Sequence, residues 1–249
     1  MRGQVYIVDG TFGPVDPEAA KRIAAILPGH AETTRNEPGC IGFSAEPAGD
    51  DANWRVDEAF ADSEAFAHHQ ERISGNHWGQ ATAGIRRDYN ARLADPVIRP
   101  EVAADLPGIR SLVTRAFPTD AEARIVDKLR ADGDLVHSLV AMAGAHVAGH
   151  VGLSRVRAPV PALCLAPVSV HPALQGRGLG SDLVRAALDA AQGSVVVVVG
   201  DPVFYGRFGF QHVGWESRYA GPYQMALDLI GAPLPDKATL TYPPAFAIG

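Results

Sequence analysis

Five consecutive valines, Val195–Val199, constrain the fold of this chain more than any other stretch. An unbroken β-branched run has no polar face to turn toward water. It therefore reads as a short strand covered on both sides, as parallel strands are. Upstream, residues 178–191 ("GLGSDLVRAALDAA") carry a helical apolar period, and "PALCLAPVSVH" before them reads as another strand. A strand, a helix of about four turns and a buried strand make a right-handed crossover βαβ unit.

The turn that opens this helix, "LQGRGLGS", alternates glycines at Gly176, Gly178 and Gly180. A helix start exposes unpaired N–H groups and the positive end of the dipole, which together favour an anion. Glycines let the backbone come close to it and adopt positive φ. The spacing is neither G-x-G-x-x-G nor a Walker loop.

Around this unit, residues 97–99 read as a strand, 106–117 and 121–132 as helices, and "LVHSLVAMAGAHVAGHVGLSRV" as two strands joined at "AGAH". The amino-terminal part has a different order. A strand over 5–12 precedes a helix capped by Asp16, with Pro17 in its first turn and Ile23, Ile26 and Leu27 as its apolar stripe. "EPGC" is a turn, "CIGFSAEP" and "NWRVDEAF" form a pair joined by "AGDD", "DSEAFAHHQERIS" is a helix, and "IRRDYNARL" is a last strand. The order βαββαβ is the ferredoxin-like one.

A proline-rich stretch after Leu93 marks the expected boundary near Asp95, giving domains 1–95 and 96–249. Charge divides there too: 9 Lys+Arg against 15 Asp+Glu before it, 13 against 13 after it. No basic patch suggests nucleic acid. No apolar run nears the roughly 20 residues of a membrane span, and the start lacks a signal-peptide core, so a cytoplasmic protein is expected. Cys40 and Cys164 fit neither a disulfide framework nor a metal site, and read as buried thiols.

Gln175-x-x-Gly178-x-Gly180 resembles the pyrophosphate loop of the GNAT superfamily of N-acetyltransferases. "GDPVFYGRFGF" resembles the same superfamily's short helix and following strand, with Tyr205 four residues before Gly209. "AFPTDAEARIVDKLRADG" resembles the first two helices of one bacterial branch, and the likeness covers roughly 97–230. The resemblance implies an acyl-CoA N-acyltransferase fold with a mixed sheet, and acetyl-CoA as cosubstrate. It implies a pyrophosphate held by Gln175, Gly176, Arg177, Gly178, Leu179, Gly180 and Ser181. Val168 and Val170 would then offer main chain to the pantetheine arm, in a gap opened near Pro167, which cannot donate to a ladder.

An amine would attack the thioester directly, since neither cysteine stands in a nucleophile arrangement. A thiol of pKa about 8.5 leaving beside a phenol of about 10 makes Tyr205 a reasonable general acid. "ALCLAPVSVH" contains no carboxylate to serve as base. Asp120 and Glu122 are candidates to face the amine. Asp201 reads as a turn and cap, and His171 as structural.

Residues about 3–93 resemble the antibiotic-biosynthesis monooxygenase (ABM) family, on "EPGC", "IGFSAEP", "WRVDEAF", "DSEAFAHH" and His69. That family implies a ferredoxin-like domain of the dimeric α/β-barrel type and a homodimer through its sheet. His69, His77 and Trp78 are the residues that would line a pocket there. His68 and His69 point about 100° apart on a helix and do not easily face one ligand together. Two rival readings are an ABM-type monooxygenase with a secondary acetyltransferase half, and a non-catalytic acyl-CoA sensor.

Overall fold

The computed structural model describes residues 3–49 and 52–248. Asp50 and Asp51, half of the expected "AGDD" hairpin loop, lie outside the described residues. The chain is mixed α/β, with a four-stranded and a seven-stranded sheet. It divides into two compact units. The first comprises Met1–Val97, Met142–Ala148 and His171–Arg177; the second comprises Ile98–Ala141, Gly149–Val170 and Gly178–Gly249.

In the amino-terminal part, β1 (Val5–Phe12), α1 (Pro17–Arg35), β2 (Cys40–Pro47), β3 (Trp54–Phe60), α2 (Ser63–Ser74), α3 (His77–Ala81) and β4 (Arg87–Ala94) follow one another. The sheet is open, in the order β2-β3-β1-β4, with β1 antiparallel to both neighbours. Asp16 caps α1 as expected, accepting from the Ala19 amide at 2.8 Å, and Pro17 fills its first position. Ile23 is fully buried, with Ile26 and Leu27 packed beside it against Phe12, Trp54 and Trp78. The short helix α3 was not foreseen; Asn76 caps it, accepting from Gly79 at 2.9 Å.

The larger sheet runs β10-β11-β9-β8-β7-β6-β5. Its strands are β5 (Val97–Pro100), β6 (Leu135–Ala143), β7 (His146–Val156), β8 (Ala162–Val170), β9 (Val195–Val199), β10 (Gln211–His212) and β11 (Gln224–Asp228). Helices α4 (Leu106–Ala116), α5 (Ala121–Ala131), α6 (Leu179–Ala190) and α7 (Pro202–Tyr205) complete the order. Strand β9 is parallel to β8 and antiparallel to β11, so the sheet is mixed. Val195–Val198 are buried as the valine run predicts, while Val199 emerges at the strand's end. On α6, Leu179, Leu183, Val184 and Ala187 form one buried stripe. Each such leucine contributes about 1.5–3 kcal/mol of burial free energy. Strand β11 begins with Gln224, which is buried and satisfied by the Trp215 carbonyl at 2.8 Å.

Candidate active site

The turn between β8 and α6 takes its shape from two glycines. Gly176 has φ +75° and Gly178 φ +101°, conformations that L side chains rarely adopt. A Cβ at either would meet nothing within 4 Å, so it is backbone conformation that requires glycine there. Gly178 is the N-cap of α6, and its carbonyl accepts from Ser181 at 2.9 Å and from Asp182 at 3.2 Å. The Leu179 and Gly180 amides, which precede these bonds, have no intrahelical acceptor available to them. A Cβ placed at Gly180 would stand 3.5 Å from Val170 of β8 and 3.9 Å from Phe204 of α7, so three elements converge at this helix start.

Within the first unit, the Arg177 guanidinium donates to the Ala61 carbonyl and to Asp62 at 3.0 Å. Gln175 follows a 3-10 turn, Pro172–Leu174, that His171 caps; His171 is buried and structural, as expected. In the second unit, Arg207 reaches Ser181 Oγ at 3.4 Å and lies 4.7 Å over the Phe204 ring. This cation beside the α6 start stands inside the quoted "YGRFGF" motif, where its basic character was the overlooked signal.

Strand β8 pairs with β9 over Ala162–Cys164 against Val195–Val197. On its other edge β8 pairs with β7 as far as Val168 and Val170, with a register shift opposite Pro167. The β8–β9 register thus covers Ala162–Cys164 and does not include Val168 or Val170.

Tyr205, at the end of α7, packs edge-on against Phe204 and Phe210. Burial pushes its phenol up to about 12, with Cys164 adding to the effect. The phenol is therefore protonated at neutral pH and able to donate. Asp201 caps α7, accepting from Val203 at 2.9 Å, which matches the cap assigned to it. Both cysteines are buried and outside any disulfide, and burial pushes the Cys164 thiol up to about 12, so Cys164 offers no thiolate.

Asp120 is an exposed residue at the start of α5, 3.4 Å from Arg124. Glu122 is half-buried, and its Oε2 is enclosed without a hydrogen-bond partner. Among the described residues no cluster of three or more His, Cys, Asp or Glu could hold a metal, and no helix is long and apolar enough to cross a membrane.

The amino-terminal part holds a second buried polar group. Glu37 accepts from His69 Nδ1 at 2.9 Å and from Arg72 Nε. His69 Nε2 stands 4.0 Å from Glu58 Oε1, and both His69 Nε2 and Glu58 Oε2 lack partners. His30, whose ring nitrogens are also unpartnered, stacks on Trp78 at 4.2 Å. Burial pushes Glu58 up to about 7 and lowers His69 to about 4. His77 is exposed and does not join this group, and His68 is exposed where His69 is buried. His30 and Glu58 were not anticipated, because a lone His on a helix or Glu in a strand carries no spacing signal.

Comparison with known proteins agrees with this geometry. The Acetyltransferase (GNAT) family matches residues 106–210, and the Antibiotic biosynthesis monooxygenase family matches residues 5–81. The uncharacterized N-acetyltransferase YhbS of Escherichia coli K12 is 40% identical over 122 residues, covering 46% of this chain and 73% of YhbS. A crystal structure of a Brucella melitensis GNAT acetyltransferase with acetyl-CoA is 34% identical, covers 60% of this chain and 97% of its own, and has a TM-score of 0.52. The YhbS crystal structure with CoA is 31% identical, covers 61% and 92%, and has a TM-score of 0.54.

Proposed function

Because this chain belongs to the GNAT family of acetyltransferases, whose cosubstrate is acetyl-CoA, we propose that its carboxy-terminal half moves an acetyl group onto an amine by direct attack. Tyr205 is then the proton donor to the departing thiolate. The observation that carries this reading is the positive-φ glycine turn at the start of α6, set against the stretch of β8 outside its register with β9.

In this reading Gln175 to Ser181 hold the pyrophosphate, chiefly through the backbone amides of Gly176, Gly178, Leu179 and Gly180. Arg177 contributes its main chain, since its guanidinium is engaged by Asp62. Arg207 adds a cation at Ser181. Val168 and Val170 offer main chain to the pantetheine amides along the part of β8 outside its register with β9. The amine nitrogen bonds the thioester carbon to form a tetrahedral, oxyanion-bearing intermediate, whose collapse breaks the C–S bond and releases the CoA thiolate, and main-chain N–H groups of the same strand stabilise the oxyanion. Glu122, with its enclosed and unpartnered Oε2, is better placed than the ion-paired Asp120 to receive a cationic amine.

The division into 1–95 and 96–249, a cytoplasmic location and a homodimer through the amino-terminal sheet belong to the same proposal. One observation favours a second activity: the partnerless Glu58, His69 and His30 atoms suit an acid–base site of the ABM monooxygenase type. Oxygen uptake with quinol substrates, abolished in His69→Ala, tests it. A sensor that only binds acyl-CoA remains the rival to transfer.

The deciding experiment is CoA thiol release from acetyl-CoA across a panel of primary amines, with acetylated product identified by mass spectrometry. Tyr205→Phe lowers turnover and spares acetyl-CoA affinity. Binding without any product identifies a sensor instead.

A further inference from the structure

The end of the larger sheet away from the glycine turn carries a cavity that acetyl transfer does not use. It measures about 780 Å³ and lies where β7 ends, β8 begins and α6 runs out, with Arg155, Arg157, Leu163, Ala191 and Pro243 in its lining. That volume is in the range of sites for small organic ligands. Its residues all belong to the second unit. Helix α6 has 12 residues, so about 18 Å of helix separates the cavity from the Gly178 turn. Leu163 stands five residues before Val168, about 16 Å along the strand. An occupant there is neither the coenzyme's pyrophosphate nor the group that meets its thioester.

The charge of this cavity comes from one strand end. Val156 is buried, and successive residues of an extended chain alternate faces, so Arg155 and Arg157 project together on the other side, both exposed. Among the described residues neither guanidinium has an ion-pair or side-chain hydrogen-bond partner. Asp134 is the one acidic residue in the lining, and it meets Arg155 through the main chain, its carbonyl accepting from the Arg155 amide at 2.9 Å. Two unpaired guanidiniums side by side repel each other. A doubly charged oxyanion between them replaces that repulsion with charge-assisted hydrogen bonds.

The walls around the two cations are apolar and fixed. Pro159, Pro161 and Pro243 line them, each with a locked φ. Backbone bonds tie these segments together: Arg157 and Thr241 exchange N–H···O bonds of 3.0 and 2.9 Å, and Val195 donates to the Pro161 carbonyl at 2.8 Å. A preformed, low-dielectric wall concentrates the field of the guanidiniums and leaves little to be ordered on binding.

We propose that this cavity binds a small organic phosphate, with the phosphate dianion seated between Arg155 and Arg157 and an apolar body lying on the prolines. The site is one of binding, and no bond is made or broken in it. It stands on the geometry of the second unit and does not rest on the acetyl-transfer reading.

Calorimetric titration of the full chain with phenyl phosphate tests it, beside benzoate, inorganic phosphate and benzyl alcohol. Phenyl phosphate should bind saturably and most tightly of the four. Benzoate carries a single charge and inorganic phosphate lacks the apolar body, so both should be weaker, and uncharged benzyl alcohol should not bind. Arg155→Gln and Arg157→Gln change exposed side chains and leave the core intact. Each should weaken phenyl phosphate about 10-fold or more, and the double variant should abolish binding. Gly178→Ala, which alters the α6 start, should leave it unchanged. The site is overturned by no saturable binding of phenyl phosphate, by undiminished binding in the folded double variant, or by any other probe binding as tightly. A loss confined to Gly178→Ala would place the phosphate on the glycine turn and overturns it too. Failure of CoA to bind would remove the coenzyme reading and leave these outcomes as they are.

Discussion

Gly200 lies against the ring of Tyr205 on its Cδ2–Cε2 side, and a Cβ at residue 200 would overlap the ring's Cε2. The close approach fixes where the phenol sits relative to the end of β9. Gly200→Ala must therefore displace the ring without touching the glycine turn. We expect its turnover to approach that of Tyr205→Phe, about 100-fold below wild type, with acetyl-CoA affinity intact. Steady-state kinetics beside calorimetry on the two variants checks this. Normal turnover in Gly200→Ala would take the phenol's position out of the mechanism.

Gly178 gives a test at the other end of the cofactor. Its φ of +101° costs an L residue roughly 1–2 kcal/mol, while the added methyl meets nothing within 4 Å. Gly178→Ala should weaken CoA binding about 5- to 30-fold and shift the helix start rather than the core. Gly193, also at positive φ but past the C-terminus of α6, is the control position. Gly193→Ala should leave CoA affinity unchanged.

Arg207 lies between the Phe204 and Phe208 rings and Ser181. Arg207→Ala should weaken acetyl-CoA binding several-fold, and more at low salt than at high, because the lost term is charge attraction to phosphate. Titrations at two ionic strengths measure it.

Much of this is legible in the sequence itself. Asp16 and Pro17 announce the start of α1, and the valine run announces a buried strand, because those signals are local. The glycines at 176 and 178 are legible for the same reason: backbone conformation selects the residue at its own position. What stayed hidden depends on distant parts meeting. The hydrogen-bonded chain Glu101–Ser138–His150 exists only because residues far apart in the sequence meet. Glu58 and His30 look like surface residues until the sheet and helices close over them. Helix α3 escaped notice because five residues carry too little periodicity.

Acid should destabilise the protein above the usual carboxylate range. Burial lowers His30 to about 3, His69 to about 4 and His150 to about 4. A depressed folded pKa contributes stability that is full above the unfolded value near 6.5 and is lost as pH falls toward the folded one. Glu58 acts oppositely. Raised to about 7, it contributes fully below its unfolded value and loses that contribution as pH rises through 7. The histidines outnumber it, so chemical denaturation should show lower stability at pH 5 than at pH 7. Glu58→Gln should steepen that loss, because it removes the opposing group. A flat profile between these pH values would contradict the buried neutral histidines.

The most direct measurement is calorimetric titration of the folded protein with CoA, repeated on Gly178→Ala. The glycine turn at the start of α6 predicts saturable one-to-one binding per chain, weakened by the variant. Absence of saturable binding to the wild-type protein, or equal affinity in the variant, would contradict a coenzyme pyrophosphate held by that turn.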